Sequence, residues 1–127
     1  MSIFISIASY KDPLLVSTIF SAYDNAENKN DLIFSICDQS EDGIQVNEIA
    51  FSNQIHYDHV DPVFAKGPCW ARHRAQSFFN EEDFFLQVDS HTLFAPEWDY
   101  IFIEQLEKIS ANQENDEYFK KPIITSY

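Results

Sequence analysis

Apolar and polar positions in this chain alternate between two patterns. Ile3 to Ala8 is a short, nearly continuous apolar run, which predicts a buried strand at the start of the domain. Ser9-Tyr10-Lys11-Asp12 follows as a loop, with Asp12 as helix N-cap and Pro13 in the first helical position, where a missing amide proton is tolerated. Leu15, Ile19, Ala22 and Ala26 then recur at i, i+4, i+7 and i+11, the stripe of an amphipathic helix. After the polar break at Glu27 to Asp31, Leu32 to Cys37 predicts a second strand. Ser40 to Gln54 is polar at first and at most partly helical, and Ile55 to Val60 is a weaker third strand. Gly67-Pro68 restarts regular structure with a helix whose buried stripe is Ala71, Ala75 and Phe78. The two alanines are small enough to lie close to a sheet. Phe84 to Val88 is the strongest strand signal, ending at Asp89. Pro96 opens a further helix with Trp98, Phe102, Leu106 and Ile109 on one face. Ala111 to Glu117 reads as a polar linker, and Pro122 to Thr125 as the beginning of another strand.

Strands that alternate with helices imply an α/β fold, a mostly parallel sheet with helices on its faces. Residues 1–127 read as a single domain, without internal repeats or low-complexity tracts. A strand that begins at residue 122 has little chain after it to pack. Either it is an edge strand or the chain is a fragment of a longer protein, and the expectation adopted is the truncated domain.

Composition narrows the function classes. Hydrophobic residues make up 45% and aromatics 16%, enough for a packed core and too much for a disordered chain. The net charge of −13, from 8 basic and 21 acidic residues, repels nucleic-acid phosphates and anionic membranes. It does not exclude a small anionic ligand, because one metal ion inverts the local field. The two cysteines, Cys37 and Cys69, lack metal-site spacing and read as reduced core thiols. The first residues have no basic n-region, and no segment is apolar for long enough to span a membrane, so the expected location is the cytoplasm.

In an open parallel sheet, ligands bind beyond the carboxyl ends of the strands. The loops at Ser9–Asp12, Asp38-Gln39 and Asp89-Ser90-His91 fall there. Asp89 and His91, two residues apart after a strand, offer one hard oxygen and one borderline nitrogen to a divalent ion. That set suits Mn²⁺, tolerates Mg²⁺ and accepts Zn²⁺, and an ion held there neutralises a diphosphate. The bland alternative is a strand-end turn with an exposed histidine. Arg72, in the first turns of the helix after Gly67, presents a planar donor fork to a phosphate or carboxylate. Alternatively, Arg72 and Arg74 are solvated or pair with Glu81, Glu82 or Asp83. His56, Asp58, His59 and Asp61 could bind metal, but in a strand they divide between two faces, and a structural role is favoured. Tyr10 is a candidate to stack on a base whose edge Asp38 or Gln39 would bond; a tyrosine packed in a loop is the alternative.

The run Ile5 to Pro13 resembles the opening block of the GlcNAc glycosyltransferase family, with Lys11 where the family usually has arginine. Gly67-Pro68-Cys69-Trp70-Ala71-Arg72-His73, Phe85-Leu86-Gln87-Val88-Asp89-Ser90-His91 and Trp98-Asp99 resemble its later blocks, in the same order. The resemblance implies the N-terminal, nucleotide-sugar-binding portion of a GT-A (Rossmann-like) fold. It also implies transfer of a sugar from a UDP-sugar, UDP-GlcNAc in the characterised relatives, to a hydroxyl acceptor such as protein hydroxyproline. On this resemblance Asp89 and His91 form a D-x-H motif that holds Mn²⁺ (or Mg²⁺) on the diphosphate. Tyr10, Gln39, Arg72 and Asp89 are the expected nucleotide-sugar contacts, and no catalytic residue is identified.

Three functions compete. The first is a metal-dependent glycosyltransferase or its donor-binding half. The second is a non-catalytic binding module derived from that fold. The third is a two-metal phosphoesterase that uses Asp89, His91 and the 56–61 cluster. A homodimer is expected if the apolar end near Ile123 and Ile124 is left uncovered.

Overall fold

In a computed structural model of the chain, residues 1–111 and 122–125 are described. Four strands form one sheet: β1 (Ile3–Tyr10), β2 (Leu32–Gln39), β3 (Ile55–Val60) and β4 (Phe84–Asp89). Their order is β3-β2-β1-β4, and every pairing is parallel. Three α-helices accompany them: α1 (Leu15–Asp24), α2 (Pro68–Gln76) and α3 (Trp98–Ala111). The expected α/β class with a parallel sheet is therefore present. The chain steps outward from β1 to β2 and β3, then returns past β1 to add β4. The order thus reverses between β1 and β4, a topological switch point of the kind beside which open α/β sheets bind ligands.

Strand periodicity distributes the core over both faces of the sheet. Ile3, Ile5 and Ile7 of β1 and Leu32, Phe34 and Ile36 of β2 are buried on the face covered by α1, through Leu15, Ile19 and Ala22. Phe102 and Ile103 of α3 join that face. No α-helix connects β2 to β3. Short 3₁₀ turns at Val46–Glu48 and Ser52–Gln54 take its place, and the buried Ile49 and Phe51 close the core there. The Phe51 ring stacks on Tyr23 with centroids 3.7 Å apart. On the other face, Ala71 and Ala75 of α2 are fully buried against Cys37, and Ser35 Oγ donates to the Ala75 carbonyl at 2.6 Å. A larger side chain at either alanine would lift α2 off the sheet.

Several local expectations need correcting. Helix α1 begins at Leu15, and Asp12 accepts the Leu14 amide at 2.9 Å instead of capping a helix that starts at Pro13. Phe78 is not part of a buried stripe. Helix α2 ends at Gln76, and Phe78 lies in the following turn, 40% exposed, with its ring stacked on His56. Strand β4, by contrast, has the bounds its apolar run predicts; among the described residues it is an edge strand, with Phe84, Leu86 and Val88 turned to the core. Its apolar run extends a surface aromatic cluster, because Phe85 and Phe79 flank the buried Phe4 at 5.6 and 5.3 Å. Residues Pro122–Thr125 form no strand, and Ile123 is 87% exposed, because an apolar run without a partner gains no ladder hydrogen bonds. The expected linker begins inside α3 at Ala111, and its remainder, 112–117, lies outside the described residues.

Candidate functional site

The carboxyl ends of β1, β2 and β4 meet in register. Ala8 pairs with Asp89 on one side, and Tyr10 pairs with Gln39 on the other. By alternation these four residues share the sheet face that carries α2. A cavity of about 410 Å³ opens there. Tyr10 and Gln39 line one part of it, and Pro62, Ala65, Gly67 and Pro68, leading into α2, line the other. Gln39 is buried, and its amide donates to the Ser9 carbonyl at 2.9 Å, which fixes the side chain. Tyr10 is 56% exposed, with Lys11 Nζ 5.8 Å from the centroid of its ring. Gly67 adopts φ 95°, a conformation that favours glycine, so the chain can turn there into the helix. A second cavity of about 200 Å³ lies at the amino ends of the strands, near Ile3, Asp31 and Asp99. It is smaller, and the Asp99 carboxylate there is occupied by the Glu27 and Asn28 amides at 2.8 and 2.9 Å.

A chain of charged groups crosses the switch point beside the larger cavity. Arg72 Nη2 lies 3.9 Å from Asp89 Oδ1, and Asp89 Oδ2 lies 3.9 Å from His91 Nε2. The His91 Nδ1 bonds to Asp12 Oδ2 at 2.9 Å, and Ser90 Oγ donates to the same oxygen at 2.6 Å. These bonds tune both groups. The Ser90 hydroxyl, the Leu14 amide and His91 hold the Asp12 carboxyl below its ordinary value. The bond to Asp12, then the negative charges of Asp12 and Asp89, raise the His91 imidazole above its ordinary value. Arg72 is half-exposed and its pairing with Asp89 is long, so the ion pair itself is worth at most about 1 kcal/mol and the guanidinium remains open to an anion. No side chain caps the start of α2, whose partial positive charge adds to that of Arg72.

The donor set can be tested against a divalent ion. With metal–ligand bonds of about 2.1 Å, one ion reaches two atoms separated by as much as about 4.2 Å. The Asp89–His91 separation of 3.9 Å falls within that span. Two side chains leave most of a coordination shell to water or phosphate oxygens. Among the described residues, no group of three or more Asp, Glu, His or Cys side chains converges on a metal position.

The loop after β4 is held from below by α1. Thr18 Oγ1 donates to the Ser90 carbonyl at 2.7 Å and accepts the Thr92 amide at 3.0 Å, while Ser21 Oγ accepts the Phe94 amide at 2.8 Å. These anchors, like the Asp12 contact, escaped the sequence reading. The one local signal was Thr18, a polar residue on the buried side of α1. The Trp98-Asp99 pair also has a structural role: Trp98 Nε1 donates to the Ala22 carbonyl at 2.8 Å, and Asp99 caps the chain after α1.

The other sequence candidates are dispersed. Asp38 points to the opposite face from Gln39 and accepts the Tyr57 hydroxyl at 2.6 Å, so it is not brought to the cavity. Asp58 receives both Nε and Nη2 of Arg74, at 2.7 and 2.9 Å. Arg74 thus pairs with Asp58, a partner that neither alternative for it, solvation or pairing with Glu81, Glu82 or Asp83, had named. His56 stacks on Phe78, His59 bonds the Ser40 carbonyl, and Asp61 accepts the Val63 amide. Each member of the 56–61 group has its own structural partner. Cys37 is buried as expected, and burial pushes its thiol up to about 11, whereas Cys69 is exposed and no core thiol. No described helix is long and apolar enough to cross a membrane.

Comparison with known proteins gives one match. The family model described as glycosyltransferase (GlcNAc) matches residues 38–127, more than two thirds of the chain. The match takes in Arg72, Asp89 and His91 and leaves β1 and Asp12 outside it. No curated protein and no solved structure gave a match. The matched span covers the end of β2, β3, α2, β4 and α3, and with it the loop that carries Asp89 and His91; by that match the chain belongs to the glycosyltransferase (GlcNAc) family.

Proposed function

We propose that this domain binds the nucleotide-sugar donor of a metal-dependent glycosyl transfer, with UDP-GlcNAc as donor and a hydroxyl group, such as that of protein hydroxyproline, as acceptor. The observation that carries this reading is the placement of Asp89, His91 and Arg72 at the switch point, next to a cavity that Tyr10 and Gln39 line. Family membership implies a sugar donor. In this reading Tyr10 stacks on the uracil, and Gln39 shapes the pocket around it. Arg72 and the start of α2 receive the diphosphate. Asp89 and His91 hold Mn²⁺ or Mg²⁺. Bound there, the cation would offset the charge that develops on the departing diphosphate. The fold type of the reading is GT-A, which the four-stranded parallel sheet accommodates.

The residues' own contributions are binding and orientation. Arg72 supplies positive charge in a chain of net charge −13, where an anion otherwise meets repulsion. Asp89, 65% exposed at the strand end, faces solvent and stays available to a cation. The test is to incubate the chain with UDP-GlcNAc, Mn²⁺ and a hydroxyproline peptide, following UDP release and, separately, donor binding by saturation-transfer NMR. Donor binding with UDP release supports transfer. Donor binding without release supports a donor-binding module. Absence of donor binding refutes the proposal.

A further inference from the structure

We infer that Asp12 is the positioning residue of this site. It accepts a hydrogen bond from the Nδ1–H of His91 and thereby presents the Nε2 lone pair to a divalent cation beside Asp89. The inference rests on the reading of Asp89 and His91 as cation ligands and adds a residue from the first loop, 79 positions away in the chain.

The geometry carries it. The His91 side chain is 60% exposed, so packing does not set the ring's orientation. Its contact with Asp12 Oδ2 at 2.9 Å does. An ionised carboxylate only accepts hydrogen bonds, so the neutral ring must carry its proton on Nδ1. The Nε2 atom is then an acceptor, and it is the nitrogen that faces Asp89. An imidazole free in water favours the opposite tautomer, with the proton on Nε2 and no lone pair there. The Asp12 contact therefore selects the form that can ligate, in the way that carboxylates orient the histidines of many metal sites.

Asp12 is itself committed. Its Oδ1 accepts the Leu14 amide at the entrance to α1, and its Oδ2 accepts both Ser90 Oγ and His91 Nδ1. Only 13% of the side chain is exposed. These bonds make it a holder of the ring and not a third ligand. They also account for the middle residue of the Asp89-Ser90-His91 triplet. Ser90 is buried, turned back toward Asp12, and its hydroxyl fixes the carboxylate that fixes the histidine.

The test uses Asp12→Asn in the whole chain. Asparagine keeps the shape and can still accept the Leu14 amide, but its NH₂ can donate to Nδ1 and so stabilise the other tautomer. Long-range ¹⁵N–¹H NMR of the His91 ring, metal-free and at alkaline pH, should show Nδ1–H in the parent and a shift toward Nε2–H in the variant. Titration of Mn²⁺ in the presence of UDP should weaken by about 10- to 100-fold, while UDP binding without metal stays the same. Ser90→Ala leaves the start of α1 intact and should move both readouts the same way, but less; it serves as the test if Asp12→Asn does not fold. A parent-like tautomer and Mn²⁺ affinity in the folded variants overturns the inference and leaves the cation site standing. A parent that shows Nδ1–H but binds no Mn²⁺ with UDP overturns the cation reading, and this inference with it.

Discussion

Replacing Thr18 by Val tests how the site loop is held. The substitution keeps the branched shape and removes only the hydroxyl. Thr18 is 1% exposed, so water cannot take the hydroxyl's place. Two backbone groups lose their partner: the Ser90 carbonyl, bonded at 2.7 Å, and the Thr92 amide, bonded at 3.0 Å. A buried polar group left unpaired costs about 1–3 kcal/mol. Ser90 is buried and Thr92 half-buried, which places the sum at about 2–4 kcal/mol. At ~4 °C per kcal/mol for a domain of this size, Tm should fall by about 8–16 °C. Urea denaturation measures the free energy, and hydrogen exchange at the Thr92 amide reports the local effect. Exchange there should accelerate more than at the central amides of β1 and β2. Thr18→Ser is the control, since it keeps the hydroxyl and both bonds. A change within about 0.5 kcal/mol, the usual range for surface substitutions, together with unchanged Thr92 protection, would refute the idea that α1 anchors the loop.

Three further outcomes follow from other parts of the structure. Gly67→Ala should destabilise by about 1–3 kcal/mol and weaken UDP binding. Nothing lies within 4 Å of the added Cβ, so the cost comes from φ 95° and its relief would reshape the cavity rim; calorimetry and UDP titration check it, and a neutral outcome refutes it. A thiol reagent at neutral pH should modify one cysteine per chain, the exposed Cys69, and reach Cys37 only on unfolding, because burial raises that thiol to about 11; two rapidly reacting thiols would contradict the fold around Ser35–Cys37. The raised His91 pKa fixes the sign of a pH effect. The folded state holds that proton more tightly than the unfolded state, so the stabilisation is fully present below 6.5 and disappears as pH rises through the higher folded value. The stability gap between the parent and His91→Gln, followed by urea unfolding, should therefore narrow as pH rises above 6.5; a gap that widens would count against the Asp12–His91 bond.

The sequence makes the central strands and the site's location legible, but not its internal contacts. Runs such as Ile3 to Ala8 and Leu32 to Cys37 carry continuous apolar signals because both faces of those strands are covered, and Ile55 to Val60 has the bounds its pattern predicts. The strand-end loops follow from parallel topology alone. Strand β4 forms where its pattern predicts, but the place of Phe85, in a cluster with Phe79 around the buried Phe4, is a tertiary outcome that local hydrophobicity does not encode. The split of His56, Asp58, His59 and Asp61 between faces is a period-two argument and readable. The capture of Asp58 by Arg74 depends on where α2 lands. The Asp12–Ser90–His91 contact needs both the β1–β4 register and the turn of each loop, so no local pattern reveals it.

The central claim is that Asp89 and His91 hold a divalent cation on a nucleoside diphosphate. Isothermal titration of UDP with Mn²⁺ into the parent and Asp89→Asn tests it most directly. Asparagine preserves the shape of a side chain that is 65% exposed, so the fold should be unaffected while the carboxylate charge is lost. The account predicts UDP binding that strengthens with Mn²⁺ in the parent, and at least a tenfold loss in the variant, about 1.4 kcal/mol. Equal affinity of the two proteins for Mn²⁺ and UDP would contradict it and reduce Asp89-Ser90-His91 to a strand-end turn.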